Sequence, residues 1–126
     1  MRPRTLAEVA SRALAGGSFD PCLASFLDEF YAARDSQMLA ERPPLLAPTH
    51  GDVGQVQDAY LAATAEELAR LNGDVPPAWV AEAGRALHRP YFASPFRSLR
   101  AVLLLESPAS FRARNLFVSA NALSRV

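Results

Sequence analysis

The chain has 126 residues, 50% of them hydrophobic and 21% charged, with a formal net charge of zero. That length suits one domain able to bury roughly two thirds of its unfolded surface, and the composition argues against a disordered chain. A single cysteine, Cys22, excludes an intramolecular disulfide, and the longest strictly apolar run, Ala101 to Leu105, falls far short of the about 20 residues of a membrane span. Glu8, Ser11 and Arg12 interrupt any signal-peptide core after Arg2 and Arg4, so a cytoplasmic protein without membrane association is expected.

Ten prolines predict short, sharply punctuated helices. Thr5-Leu6-Ala7-Glu8 has the form of a capping box and opens a first helix whose apolar residues end at Leu14, before Gly16-Gly17. Asp20-Pro21 reads as a cap followed by a first-turn proline. The helix that follows carries Leu23, Phe26, Leu27, Phe30 and Tyr31 on one face, with Asp28 and Glu29 opposite. A short helix capped by Asp35 or Ser36 spans 36–41 and stops at Pro43-Pro44, and 45–51 reads as a loop.

The longest helix follows, capped by Asp52, with Val53, Val56, Tyr60, Leu61, Ala65, Leu68 and Leu71 as its core stripe and Asn72-Gly73 as its stop. Pro76-Pro77 starts one or two turns in which Trp79 is a core anchor. Ser94-Pro95 begins another helix, with Phe96, Leu99, Val102, Leu103 and Leu105 expected to face inward. Ser107-Pro108 repeats that start for a turn over 108–114. Leu116-Phe117-Val118 is β-prone but long enough only for an edge or an extended connection, and a last turn capped by Ser119 or Asn121 buries Leu123 and ends at Val126. The expected fold is all-α: a compact bundle of about five to seven short helices with proline-punctuated loops, one domain over 1–126.

Charge is unevenly distributed. Residues 1–84 hold 12 of the 13 acidic side chains, whereas 85–126 hold seven arginines against Glu106 alone. Two explanations follow: the halves attract each other within the fold, or the basic end recognises an anionic partner. Every basic residue is arginine, so Schiff-base, phosphate-loop and serine–lysine chemistry are excluded. His50, His88 and Cys22 lack metal-ligand spacing, and no cofactor is expected. Asp20 works against activation of Cys22 at its helix start, and the pairs Asp28-Glu29 and Glu66-Glu67 diverge on their helices. These features point away from an enzyme and toward a binding protein. The acidic helix after Gly16-Gly17 is also a poor recognition helix for DNA.

One segment concentrates distinctive chemistry. Arg97 and Arg100 stand three apart on one helix side, and Arg112 and Arg114 frame the next turn ahead of Asn115 and Phe117. Guanidinium groups make bidentate contacts with carboxylate and phosphate. These six residues are the candidate partner-binding site, for a protein with an acidic groove or for nucleic acid.

The same region carries a family resemblance. Trp79 after Pro76-Pro77, the run Arg89-Pro90-Tyr91-Phe92-Ala93-Ser94, Ser107-Pro108-Ala109-Ser110-Phe111-Arg112-Ala113-Arg114-Asn115-Leu116-Phe117-Val118 and the ending Asn121-Ala122-Leu123-Ser124-Arg125 form its signature. In these residues the chain resembles a family of small bacterial antitoxin-like proteins encoded beside nucleotidyltransferase-like toxins. The resemblance extends upstream through Phe26 to Tyr31 and Ala59 to Ala62. It implies an antitoxin, or an antitoxin-like regulatory partner, that masks a toxin and regulates its own operon. Some members carry a helix-turn-helix domain ahead of the segment; here none precedes residue 1, which shifts the expectation from DNA toward a protein partner. A DNA-binding regulator and a helical oligomerisation domain forming a homodimer are the alternatives.

Overall fold

The computed structural model describes residues 1–125. Helix α1 spans Leu6–Leu14, α2 Phe19–Ala33, α3 Ala47–Leu71, α4 Arg100–Glu106 and α5 Ala109–Arg112, with 3-10 turns at Ser36–Leu39, Ala78–Ala81 and Arg97–Leu99. Strands β1, Tyr91–Phe92, and β2, Leu116–Phe117, pair in parallel, Tyr91 beside Leu116 and Phe92 beside Phe117. The chain is therefore mostly helical, and this small sheet corrects the all-α expectation. The β-prone 116–118 run finds a partner because Asn115 takes a left-handed φ of 62°, which ends the preceding helical turn and aims the chain along residues 91–93. The Asn115 carbonyl then accepts from the Tyr91 amide (2.8 Å) and the Phe117 carbonyl from Ala93 (2.9 Å).

Local chemistry explains the helix ends. The Thr5 hydroxyl accepts from the Glu8 amide at 3.0 Å, and Glu8 itself pairs with Arg12. Helix α2 begins one turn-position earlier than the proline suggests, with Ser18 rather than Asp20 flanking it, and stops at Arg34 in the left-handed conformation. Asp35 caps the next turn by accepting from the Gln37 amide. Helix α3 starts before Asp52. Gly51, at φ 64° and ψ −136°, breaks it and folds its first turn back over its own body. A Cβ at Gly54 would lie 2.6 Å from the Leu46 carbonyl, so only glycine admits that close approach.

From Asp58 to Ala69 α3 is buried almost all round and forms the axis of the molecule. Around it pack Leu6 and Val9 of α1, Phe26 and Phe30 of α2, and Phe111 of α5. Each such side chain contributes about 1.5–3 kcal/mol by leaving water. Val53 and Leu71, at the two ends of the expected core stripe, are exposed instead. Trp79 is the expected anchor, and its indole N–H donates to the Leu39 carbonyl at 2.9 Å.

Candidate functional site

The seven arginines of the basic end divide into two groups. Arg85 is 1% exposed: its Nε bonds Glu82 Oε1 at 2.8 Å, its Nη1 lies 3.8 Å from Asp58, another nitrogen donates to the Pro43 carbonyl, and its plane stacks on Trp79. Asp58 turns both oxygens toward the Leu46 and Ala47 amides, at 2.7 and 3.0 Å, capping the folded-back first turn of α3. Burial raises the Asp58 carboxyl, and the two amides and Arg85 restrain that rise. Desolvation also pushes Glu82 upward, but hydrogen bonds and charge from Arg42 and Arg85 outweigh it and hold Glu82 below the usual carboxylate value.

Arg114 is buried as well. It pairs with Glu66 and donates to the carbonyls of Ser110 (2.8 Å) and Val80 (3.1 Å). Arg125 makes a two-pronged contact with Asp28, 2.9 and 3.3 Å. These three arginines hold the basic end onto the acidic part of the chain, as the intramolecular explanation of the charge split requires.

Arg89, Arg97, Arg100 and Arg112 are exposed and make no ion pair among the described residues. The six candidate residues thus separate. Arg97, Arg100 and Arg112 face solvent, while Arg114 is internal. Asn115 spends its side chain on the Leu87 carbonyl at 2.7 Å, and Phe117 is buried, stacked 5.1 Å from Phe92. Arg100 lies over that same Phe92 ring, 5.1 Å from its centre. The signature run from Ser107 to Val118 is accordingly scaffold in large part. The buried Ser107 hydroxyl bridges the end of α4 to Val118, accepting from its amide at 2.8 Å.

The expectation for 94–106 is overturned by geometry. Of Phe96, Leu99, Val102, Leu103 and Leu105, only Leu103 is buried; Phe96 is 66% and Leu105 82% exposed, and Leu104 is exposed beside them. A helix with apolar residues on every side cannot bury them all when, among the described elements, it packs chiefly on the two-residue strand β2 and the exposed turn before it. Leucines at 103, 104 and 105 without a polar residue between them are the sequence signal for this, since a surface helix ordinarily alternates faces. The result is an apolar ridge flanked by Arg97 and Arg100.

Beside this ridge lies a cleft of about 650 Å³ between α2, α3 and the end of the chain. Leu23, Leu27, Val53 and Val56 wall it, and Tyr91 and Ala93 continue it toward the ridge. Asp20 and Asp52 line it, exposed and without ion pairs among the described residues. Burial, reinforced by the Asp20 carboxylate, pushes the Tyr60 phenol in its lining up to about 12. Such a volume and apolar lining are typical of binding sites.

Compared with protein-family models, curated proteins and solved structures, the chain matches none. No helix among the described residues is long and apolar enough to cross a membrane. No group of three or more His, Cys, Asp or Glu among them is placed to hold a metal ion. Cys22 is half-buried, and burial raises its thiol despite Arg12 nearby.

Proposed function

We propose that the protein binds another protein through the 94–106 ridge, acting as an antitoxin-like partner that masks an enzyme. The observation carrying this reading is the ridge itself: Phe96, Leu99, Val102, Leu104 and Leu105 exposed on one short segment with Arg97 and Arg100 lacking ionic partners. Exposed apolar clusters of this kind on a monomer mark interaction surfaces. An apolar centre rimmed by arginine is the composition of a protein interface core. The arginines suit an acidic target, and a nucleotidyltransferase presents magnesium-binding carboxylates in its cleft. The family resemblance supports that class of target. Catalysis by the chain itself is not part of the reading.

The exposed arginines also favour a second reading, a nucleic-acid-binding regulator. Leucines standing between the guanidinium groups make it the weaker of the two, because phosphate contacts are improved by polar, not apolar, neighbours. Co-expression of the tagged chain with the product of the neighbouring gene tests the first reading. A co-purifying complex is expected, together with rescue of growth. Arg97→Glu with Arg100→Glu is expected to weaken capture at least about tenfold. Failure to form a complex or to rescue growth overturns the reading, and salt-sensitive DNA affinity at low ionic strength would replace it with the second.

A further inference from the structure

We infer that the apolar ridge at 94–106 docks into the cleft between α2 and α3 of a second copy of the chain, reciprocally, to form a closed dimer. Two unpartnered surfaces on one molecule have matching chemistry. The ridge offers apolar side chains with two guanidinium groups that make no ion pair among the described residues, Arg97 and Arg100, the latter lying over the Phe92 ring. The cleft offers apolar walls with two free carboxylates, Asp20 and Asp52. Among the described residues the one cation in the cleft lining, Arg125, is already paired with Asp28. Leu99, Val102 and Leu105 recur three apart and present a stripe able to enter a groove, as helical ligands do.

The ridge does not reach its own cleft. It is held away by Leu103 against β2 and by the Ser107 bridge to Val118. The surfaces are nevertheless adjacent, because Ala93 lines the cleft and Arg97 follows four residues later, at most about 14 Å along the chain. A two-fold axis between two copies requires a self-complementary patch, and adjacent halves of opposite character on one face provide it. Together the cleft lining and the 94–106 segment supply about the 20–30 residues a side of a standard interface. The dimer rests on the same ridge that the partner reading uses, so self-association and partner capture exclude one another.

Sedimentation equilibrium on the purified full chain alone tests the dimer without involving the partner. A dimer is expected at about 100 μM, a concentration at which the roughly micromolar affinities of modest interfaces saturate. Arg97→Asp/Arg100→Asp and Asp20→Arg/Asp52→Arg alter only exposed positions, and each variant is expected to be monomeric by itself. In an equimolar mixture both ridge–cleft contacts regain opposite charges, so a heterodimer is expected. A monomeric parent chain, variants that dimerise like the parent, or a mixture that stays monomeric each overturns the proposal. A photocrosslinking residue at position 102 of the otherwise unchanged chain gives an independent readout. It is expected to mark residues 19–27 or 52–60 of the other copy, and crosslinks elsewhere, or to an unrelated additive, count against it. Loss of the dimer with intact partner capture separates this inference from the partner reading, and the converse result separates them equally.

Discussion

Helices α3 and α4 are both rich in apolar residues, yet the 58–69 stretch of one is buried almost all round and the other is among the most open elements described. Helix α3 carries alanine at 59, 62, 63, 65 and 69, so its neighbours approach closely on all sides. Its polar side chains at 58, 66 and 67 find arginine partners. Helix α4 carries Val102, Leu104 and Leu105 outward and, among the described elements, packs chiefly on β2 and the 3-10 turn just before it. The arginines repeat the contrast. Arg85 and Arg114 are consumed by carboxylates of the α3 side, whereas Arg97 and Arg100 beside α4 are not. What separates the two regions is not hydrophobicity but whether the rest of the chain supplies a partner.

Breaking the enclosed side gives the largest effect. Arg85→Met removes the guanidinium that faces buried Asp58 and joins Glu82, Pro43 and Trp79. Stranding a buried carboxylate costs about 3–5 kcal/mol, a large share of the stability of such a domain. Urea denaturation measures the loss. Arg112→Met on the exposed side is expected to change stability by no more than about 0.5 kcal/mol.

Gly54→Ala comes next. The added methyl lies 2.6 Å from the Leu46 backbone, which cannot move without releasing the amides that Asp58 holds. Overpacking of this kind costs about 1–3 kcal/mol. An unchanged melting temperature in this variant would show that the folded-back turn of α3 is slack.

Acid provides a finer probe of the same network. Glu82 has a folded-state pKa below its unfolded one, so its contribution is complete above the usual value of about 4.3 and disappears as pH falls through the lower folded value. Asp58 has the opposite sign. Its raised value means that its charged form lowers stability, and this is relieved as pH falls toward about 3.9. Glu82→Gln is therefore expected to flatten the acid limb of the stability curve, or to reverse its slope between pH 5 and about 4. A limb as steep as the parent's would show that other carboxylates govern acid unfolding.

The sequence was informative where partners are local and silent where they are distant. Thr5, Asp35 and the apolar faces of α1 and α2 act over two to four residues, and local spacing identifies them. Trp79 announced itself by size. The β1–β2 pairing, the burial of Arg85 and Arg114, and the cleft join positions 20 to 100 residues apart, and no spacing rule reaches that far. For the candidate site, the clustering of Arg97, Arg100 and Arg112 located an exposed basic region, but nothing in one chain's pattern distinguishes them from Arg114. The apolar stripe of the 94–106 segment was visible while its direction was not, because periodicity defines a face without stating what covers it.

The smallest expected effect bears most directly on function. Leu61 is fully buried in α3, and replacing it with alanine is expected to cost about 2–5 kcal/mol through lost burial and the cavity left behind. Leu105, the same residue type at 82% exposure, leaves neither a cavity nor a lost contact within the chain. Leu105→Gln is expected to alter folding stability by less than about 0.5 kcal/mol in the monomer. The same substitution places a polar amide on the most exposed leucine of the ridge, where an occupant must desolvate it without offering it a partner. Its effect is therefore expected in dimerisation and partner capture, at about tenfold or more in each. A change that weakens binding while leaving monomer unfolding untouched assigns the exposed leucines to intermolecular contact. A change that destabilises the monomer instead would place α4 with α3, as an element the chain already covers.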